Sequence, residues 1–142
     1  MNNLKFENLK HLFPDKTSVN KSGRLEINNN DISDLVNEFG SPLYIYDENT
    51  IRNVAKNYLN KFKSQYENVH VSYSSKAFSN PTLSQILNEE NLGIDVVSGG
   101  ELEILIRSKF PMNEVNFHGN NKSNDELIKA VQNNIGLITI DS

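Results

Sequence analysis

The chain has 142 residues, 37% of them hydrophobic and 23% charged, with a formal net charge of −4 and no cysteine. That is room for one ordinary domain with a real apolar core, and the negative balance gives no footing for nucleic acid or an anionic membrane. Disulfide and thiolate chemistry is excluded. No apolar run has the length of a membrane span, and MNNLKFENLKHLFPDK has neither an apolar h-region nor a cleavage site, so a soluble, cytoplasmic protein is expected.

Residues 1–20 mix lysine, asparagine and apolar residues without a clear period. The asparagine clusters at 28–30, 120–121 and 133–134 read as compositional bias. GRLEIN (23–28) predicts a short strand. Asp31 reads as the N-cap of ISDLVNEF, with Gly40 as its stop. PLYIYD (42–47) is β-rich, and ENTIRNVAKNYLNKFKSQY (48–66) places Ile51, Val54, Ala55, Tyr58, Leu59 and Phe62 on one helical face.

NVHVSYSSKA (68–77) is strand-like. NPTLSQILNEEN (80–91) predicts a helix capped by Asn80 with Pro81 at its first position, turning Leu83, Ile86 and Leu87 inward. GIDVVS (93–98) is a strand, and GGELEILIRSKF (99–110) a helix through Leu102, Leu105 and Ile106, broken by Pro111. EVNFHG (114–119) is a strand. SNDELIKAVQNN (123–134) is a helix with Leu127, Ile128 and Val131 inward, and LITIDS (137–142) a fifth strand.

Alternation of this kind implies a parallel sheet with right-handed crossovers. An open doubly wound sheet and part of a (β/α)8 barrel both fit. No Gly-rich phosphate turn follows PLYIYD, which favours the barrel.

In either architecture the site lies beyond the carboxyl ends of the strands. Those ends carry Asp47, Lys76, Asp95 to Ser98, His118 to Asn120, and Asp141. Polar loops explain Asp47 and Asp141 as well as a site does. Lys76 shares strand parity with His70, Ser72 and Ser74, opposite Val69, Val71 and Tyr73. A solvated lysine at a strand end is the plain reading. The sharper one is an amine in a low-dielectric site, which loses proton affinity and attacks an aldehyde to form a Schiff base.

Asp95 is a carboxylate inside a strand, costly unless paired, and Lys76 on the adjacent strand is a candidate partner. Gly99 and Gly100 make either a tight turn into the helix or an anion site at its N-terminus. His118 is either a packed structural residue or an acid–base group. His11, His70 and His118 are too scattered to give a metal-ligand spacing, so no metal is expected.

YSSKAF (73–78), LGIDVVSGGEL (92–102) and FHGNNKS (117–123), in that order and spacing, resemble bacterial diaminopimelate decarboxylases. GSPLYIYDENTIR (40–52) is similar to the first barrel strand of that family and the helix after it, and the resemblance runs from about residue 23 to residue 142. It implies an α/β chain with the alanine racemase-like fold (fold type III) of enzymes that use pyridoxal 5'-phosphate (PLP). About five strands and four helices of a (β/α)8 TIM-type barrel would be present. Residues 1–40 would lead into the barrel, 41–142 would form the N-terminal part of its PLP-binding portion, and the C-terminal β-domain would be absent.

By the same resemblance Lys76 is the Schiff-base lysine, Asp95 lies near it, and His118 to Ser123 line the barrel mouth, so Lys76, Asp95 and His118 are the expected cofactor contacts. The implied reaction removes the D-centre carboxylate of meso-2,6-diaminopimelate, giving L-lysine and CO2 in lysine biosynthesis. A small amino-acid substrate and a homodimer of the complete enzyme are implied too. The family's ring-stacking histidine, phosphate loop, pyridinium partner and second-domain Cys and Tyr fall later than Ser142. The isolated chain is therefore expected to be inactive and, with open sheet edges and exposed barrel-interior side chains, to self-associate. A related ornithine or arginine decarboxylase, an amino-acid racemase, a non-catalytic PLP-binding protein and an inactive fragment are the alternatives.

Overall fold

A computed structural model describes residues 3–140. The fifth strand's Asp141 lies outside the described residues. The chain divides into two compact units, one up to Val54 and the other from Ala55.

The first unit begins with α1 (Asn3–Leu9) and a 3-10 turn (Lys10–Leu12). The rings of Phe6 and Phe13 then meet at 5.7 Å. An antiparallel sheet follows in the order β1 (Thr17–Val19), β2 (Leu25–Ile27), β3 (Asn30–Asp31). Side-chain chemistry builds its turns. Asn20 Oδ1 accepts from the backbone N–H groups of Ser22 and Arg24, closing the first hairpin. Asn28 and Asn29 make the second as a two-residue loop with both φ angles positive, 49° and 66°. The NNN cluster is thus turn chemistry, because asparagine tolerates the left-handed region that most residues avoid.

Asp31 caps α2 (Ile32–Phe39) by accepting from Ser33 N–H at 2.8 Å, and Gly40, at φ +84°, ends it, as the sequence predicts. Residues 42–47 join neither sheet. The aromatic and β-branched side chains of PLYIYD supply strand preference, but a strand exists only with a hydrogen-bonded neighbour. Asp47 is a helix cap: its carboxylate accepts from the N–H and hydroxyl of Thr50 at 3.0 and 2.6 Å, opening α3 (Glu48–Lys63).

The second unit holds a parallel sheet of β4 (Ser72–Ser74), β5 (Gly93–Val96), β6 (Val115–Phe117) and β7 (Leu137–Ile138), in that order. The crossovers are α4 (Pro81–Glu89), α5 (Gly99–Arg107) and α6 (Asn124–Gln132). The predicted α/β alternation is present, with four parallel strands among the described residues where five are expected.

All three crossover helices open on a side-chain cap, and the first does so where the sequence places it. Asn80 Oδ1 accepts from Leu83 N–H at 2.7 Å, with Pro81 at the first position. Ser98 and Ser123 cap α5 and α6. Leu83, Ile86, Leu87, Leu102 and Leu105 are buried against the sheet face made by Ile94, Val96, Val115 and Phe117. Two helical faces depart from the prediction. In α3 only Ala55 and Leu59 are buried, while Val54, Tyr58 and Phe62 stay exposed. In α6 Ala130 is fully buried, and Ile128 and Val131 are exposed. A small residue lets the helix approach closely, and the apolar arc is wider than the surface it contacts.

Helices α5 and α6 are also joined by charge. Glu103 accepts from Lys129 on α6 and, at 2.6 Å, from Arg107 one turn on. The bond to Lys129, then that to Arg107, hold the Glu103 carboxyl down at about 2, against an ordinary value of 4.5. A depressed folded-state value means that protonation opposes folding. The contribution is therefore complete above about pH 4.5 and is lost as the pH falls toward 2. Glu103→Gln is expected to flatten the acid limb of a plot of urea midpoint against pH, with little change at pH 7 in high salt, where this partly exposed network is screened.

Candidate active site

The register of the parallel sheet sets out the site. Ser74 pairs with Asp95, and Asp95 with Asn116. Residues in register share a face, so Ser72, Ser74, Asp95 and Asn116 form a polar surface on the side opposite the apolar core. One amide ties three strands together there. Asn116 Nδ2 donates to Asp95 Oδ1 at 3.0 Å and to Ser72 Oγ at 3.3 Å. Lys76 and His118 each lie two residues beyond this row, on either side of β5. The three expected site residues thus follow three adjacent strands, Asp95 inside β5 and Lys76 and His118 just past the carboxyl ends of β4 and β6.

The details differ from expectation in two respects. Strand β4 ends at Ser74, and Lys76 sits in the turn that follows, where Ala77 N–H turns back to Ser74 O at 3.3 Å. Lys76 is exposed, and among the described residues nothing hydrogen-bonds or ion-pairs with its ammonium. The exposure fits the plain reading of a solvated strand-end lysine, and the described residues do not build the low-dielectric setting of the sharper one. Nor do Asp95 and Lys76 pair. The Asp95 carboxylate takes its hydrogen bond from Asn116 instead.

His118 is exposed, and its backbone N–H extends the ladder to Val96 O at 2.8 Å. Gly119 adopts φ +116°, and a Cβ there would come 3.1 Å from the Val97 carbonyl oxygen, so the turn after His118 requires glycine. Lys122 Nζ donates back to Gly119 O at 2.5 Å and lies 5.9 Å from the centre of the Phe117 ring.

The glycine pair at 99–100 is not an anion site. The carboxylates of Glu101 and Glu126 already occupy the N-terminus of α5. Glu101 accepts from Val97 N–H at 3.0 Å, and Glu126 from Gly99 N–H at 2.5 Å. A Cβ on Gly99 would stand 2.9 Å from Glu126 Cγ, so glycine is what lets the two βα loops meet. Glu126 also completes a capping box with Ser123. Hydrogen bonds from the Ser123 N–H, then from Gly99 N–H and the Ser123 hydroxyl, hold its carboxyl below the usual range.

Sequence reading passed over Ser75, Glu101, Asn116 and Glu126. The two S-x-x-E spacings, 98–101 and 123–126, carried the signal for both glutamates. Asn116 needed the strand register, which pattern does not give. Among the described residues no group of three metal-ligating side chains gathers, and no helix is long and apolar enough to cross a membrane.

Comparison with known proteins agrees with this geometry. The family model "pyridoxal-dependent decarboxylase, pyridoxal binding domain" matches residues 51–142. Diaminopimelate decarboxylase of Bacillus methanolicus is 43% identical over 130 residues, covering 92% of this chain and 30% of its own length. That of Bacillus subtilis (strain 168) is 44% identical over 123 residues, covering 87% of this chain and 28% of its own. The solved diaminopimelate decarboxylase of M. jannaschii in complex with L-lysine superposes with a TM-score of 0.79 at 31% identity, over 90% of this chain and 30% of that one. The chain thus spans about 30% of the length of such relatives. Its parallel sheet and helices are part of the alanine racemase-like barrel, and it belongs to the pyridoxal-dependent decarboxylase family, matching its pyridoxal-binding domain over residues 51–142.

Proposed function

We propose that the protein acts in PLP-dependent decarboxylation of meso-2,6-diaminopimelate to L-lysine and CO2, with residues 41–142 as the N-terminal part of the PLP-binding barrel. The observation that carries this is the placement of Lys76, with no partner among the described residues, at the same carboxyl edge as His118 and next to the strand that holds Asp95. Relatives at 43% and 44% identity named for this activity support the substrate.

The residues present suit one end of the cofactor. Lys76 offers a solvent-accessible amine for its aldehyde. The helix N-termini of α5 and α6 are closed by Glu101 and Glu126, so neither receives its phosphate. Lys76 would hold the cofactor, Asp95 would set the local charge from the polar row, and His118 would line the opening. When bound, PLP supplies an electron sink for the charge left as CO2 departs. Asn116 keeps the Asp95 carboxylate oriented, and the Gly119 to Lys122 turn keeps His118 at the rim. The family likeness also supports a homodimer and a cytoplasmic location.

The test is chemical trapping. The holoenzyme is reduced with borohydride, digested and mapped, and its turnover of meso-diaminopimelate, ornithine, arginine and lysine is compared. The expected result is a pyridoxyl group on Lys76 and preference for meso-diaminopimelate. A label on another residue removes Lys76 from its role, and preference for ornithine or arginine moves the chain to a sister activity.

A further inference from the structure

One buried polar group near the site has no role in the scheme above. Ser75 is 4% exposed, although Lys76 beside it is exposed. Its backbone N–H donates to Asp95 O at 3.0 Å, which satisfies that carbonyl and carries the β4–β5 ladder one residue further. Its hydroxyl lies 2.7 Å from the same carbonyl and also contacts Glu101 Oε2. The hydroxyl has one proton and a choice of two acceptors. The carbonyl already holds an N–H, and a carboxylate is the stronger acceptor, so the proton belongs with Glu101. Glu101 in turn accepts from Val97 N–H at the end of β5 and from Ser98 Oγ at the cap of α5. The turn carrying Lys76 is thus bolted to the next strand and the next helix through a single carboxylate.

We infer that Ser75 and Glu101 are positioning residues for Lys76: their buried hydrogen bond fixes the backbone from which the amine reaches the cofactor aldehyde. The inference rests on the function proposed above. Lys76 makes no side-chain bond among the described residues, so its aim depends on its backbone. An attacking amine gains rate and affinity from a fixed origin.

The test compares two serines that are equally buried. Ser84, 3% exposed in α4, donates its hydroxyl to Asn80 O at 2.9 Å, within its own helix cap. In the holoenzyme, Ser75→Ala is expected to weaken PLP about tenfold, as expected for losing one hydrogen bond to a charged group, and to slow borohydride-trappable attachment at Lys76. Ser84→Ala is expected to leave both unchanged. Ser75→Thr, which keeps the hydroxyl, restores affinity, and Glu101→Gln adds little to Ser75→Ala. Without cofactor, the Ala77 amide exchanges faster in Ser75→Ala than in Ser84→Ala. If wild-type enzyme attaches PLP at Lys76 but the two alanine variants behave alike, the positioning role is overturned and the function stands. If wild-type enzyme does not attach PLP at Lys76, both fall.

Discussion

Lys76→Ala is expected to lower kcat/KM on meso-diaminopimelate by at least about a thousandfold, the scale seen when a covalent nucleophile is removed. It should also abolish the borohydride-stable pyridoxyl label. The residue stands in an exposed turn, so no core packing is lost, and the melting temperature should stay near that of the wild type. This separation makes the experiment decisive: a fall in activity that tracks a fall in stability would not implicate the amine. Lys76→Arg tests the chemistry further. Arginine keeps the charge and length but stays protonated at any accessible pH, so it should be as inactive as alanine. Activity above a tenth of wild type in Lys76→Arg would show that the positive charge, and not the nucleophilic nitrogen, is what the reaction uses.

Local signals and pairing signals were not equally legible in the sequence. Helices α2, α4, α5 and α6 were read because each declares itself within a few residues. Asp31 and Gly40 bracket one, Asn80–Pro81 opens another, and Ser98 and Ser123 sit before apolar repeats. What depends on a partner was not read. Strand β1 lies in a stretch with no clear period and is defined by the register Thr17 to Ile27 across a hairpin. PLYIYD looks like a strand and lacks the neighbour that would make it one. The same divide runs through the site. Lys76 and the loop at His118 were found as motifs, each contiguous in the chain. Asn116 bonded to Asp95, and Ser75 bonded to Glu101, exist only once the strands are in register. The candidate Lys76–Asp95 pairing is absent for that reason: Asn116 is the partner in line with Asp95, and Lys76 is already past the end of its strand.

Phe117→Ala is expected to destabilise the fold by about 3–5 kcal/mol, the range for deleting a buried aromatic ring. Phe117 is 0% exposed, the largest of the fully buried side chains, and lies in the middle of the sheet with Val96 on one side and Ile138 on the other. No polar atom is involved, so the loss is one of apolar area, packing contacts and the cavity left behind. Phe117→Leu retains most of that volume and should cost about 1.5 kcal/mol or less if the neighbours repack. Urea unfolding checks both, with a lower midpoint at unchanged slope. The ring also anchors the site. It lies under Lys122, whose bond to Gly119 folds the loop after His118. An alanine there leaves Lys122 without its aromatic face, so proteolysis between His118 and Ser123 should quicken even in urea-free buffer. If the stability lost is less than about 1 kcal/mol, the core does not centre on β6. The register that brings His118 to the same edge as Lys76 would then have to be held by the backbone ladder alone.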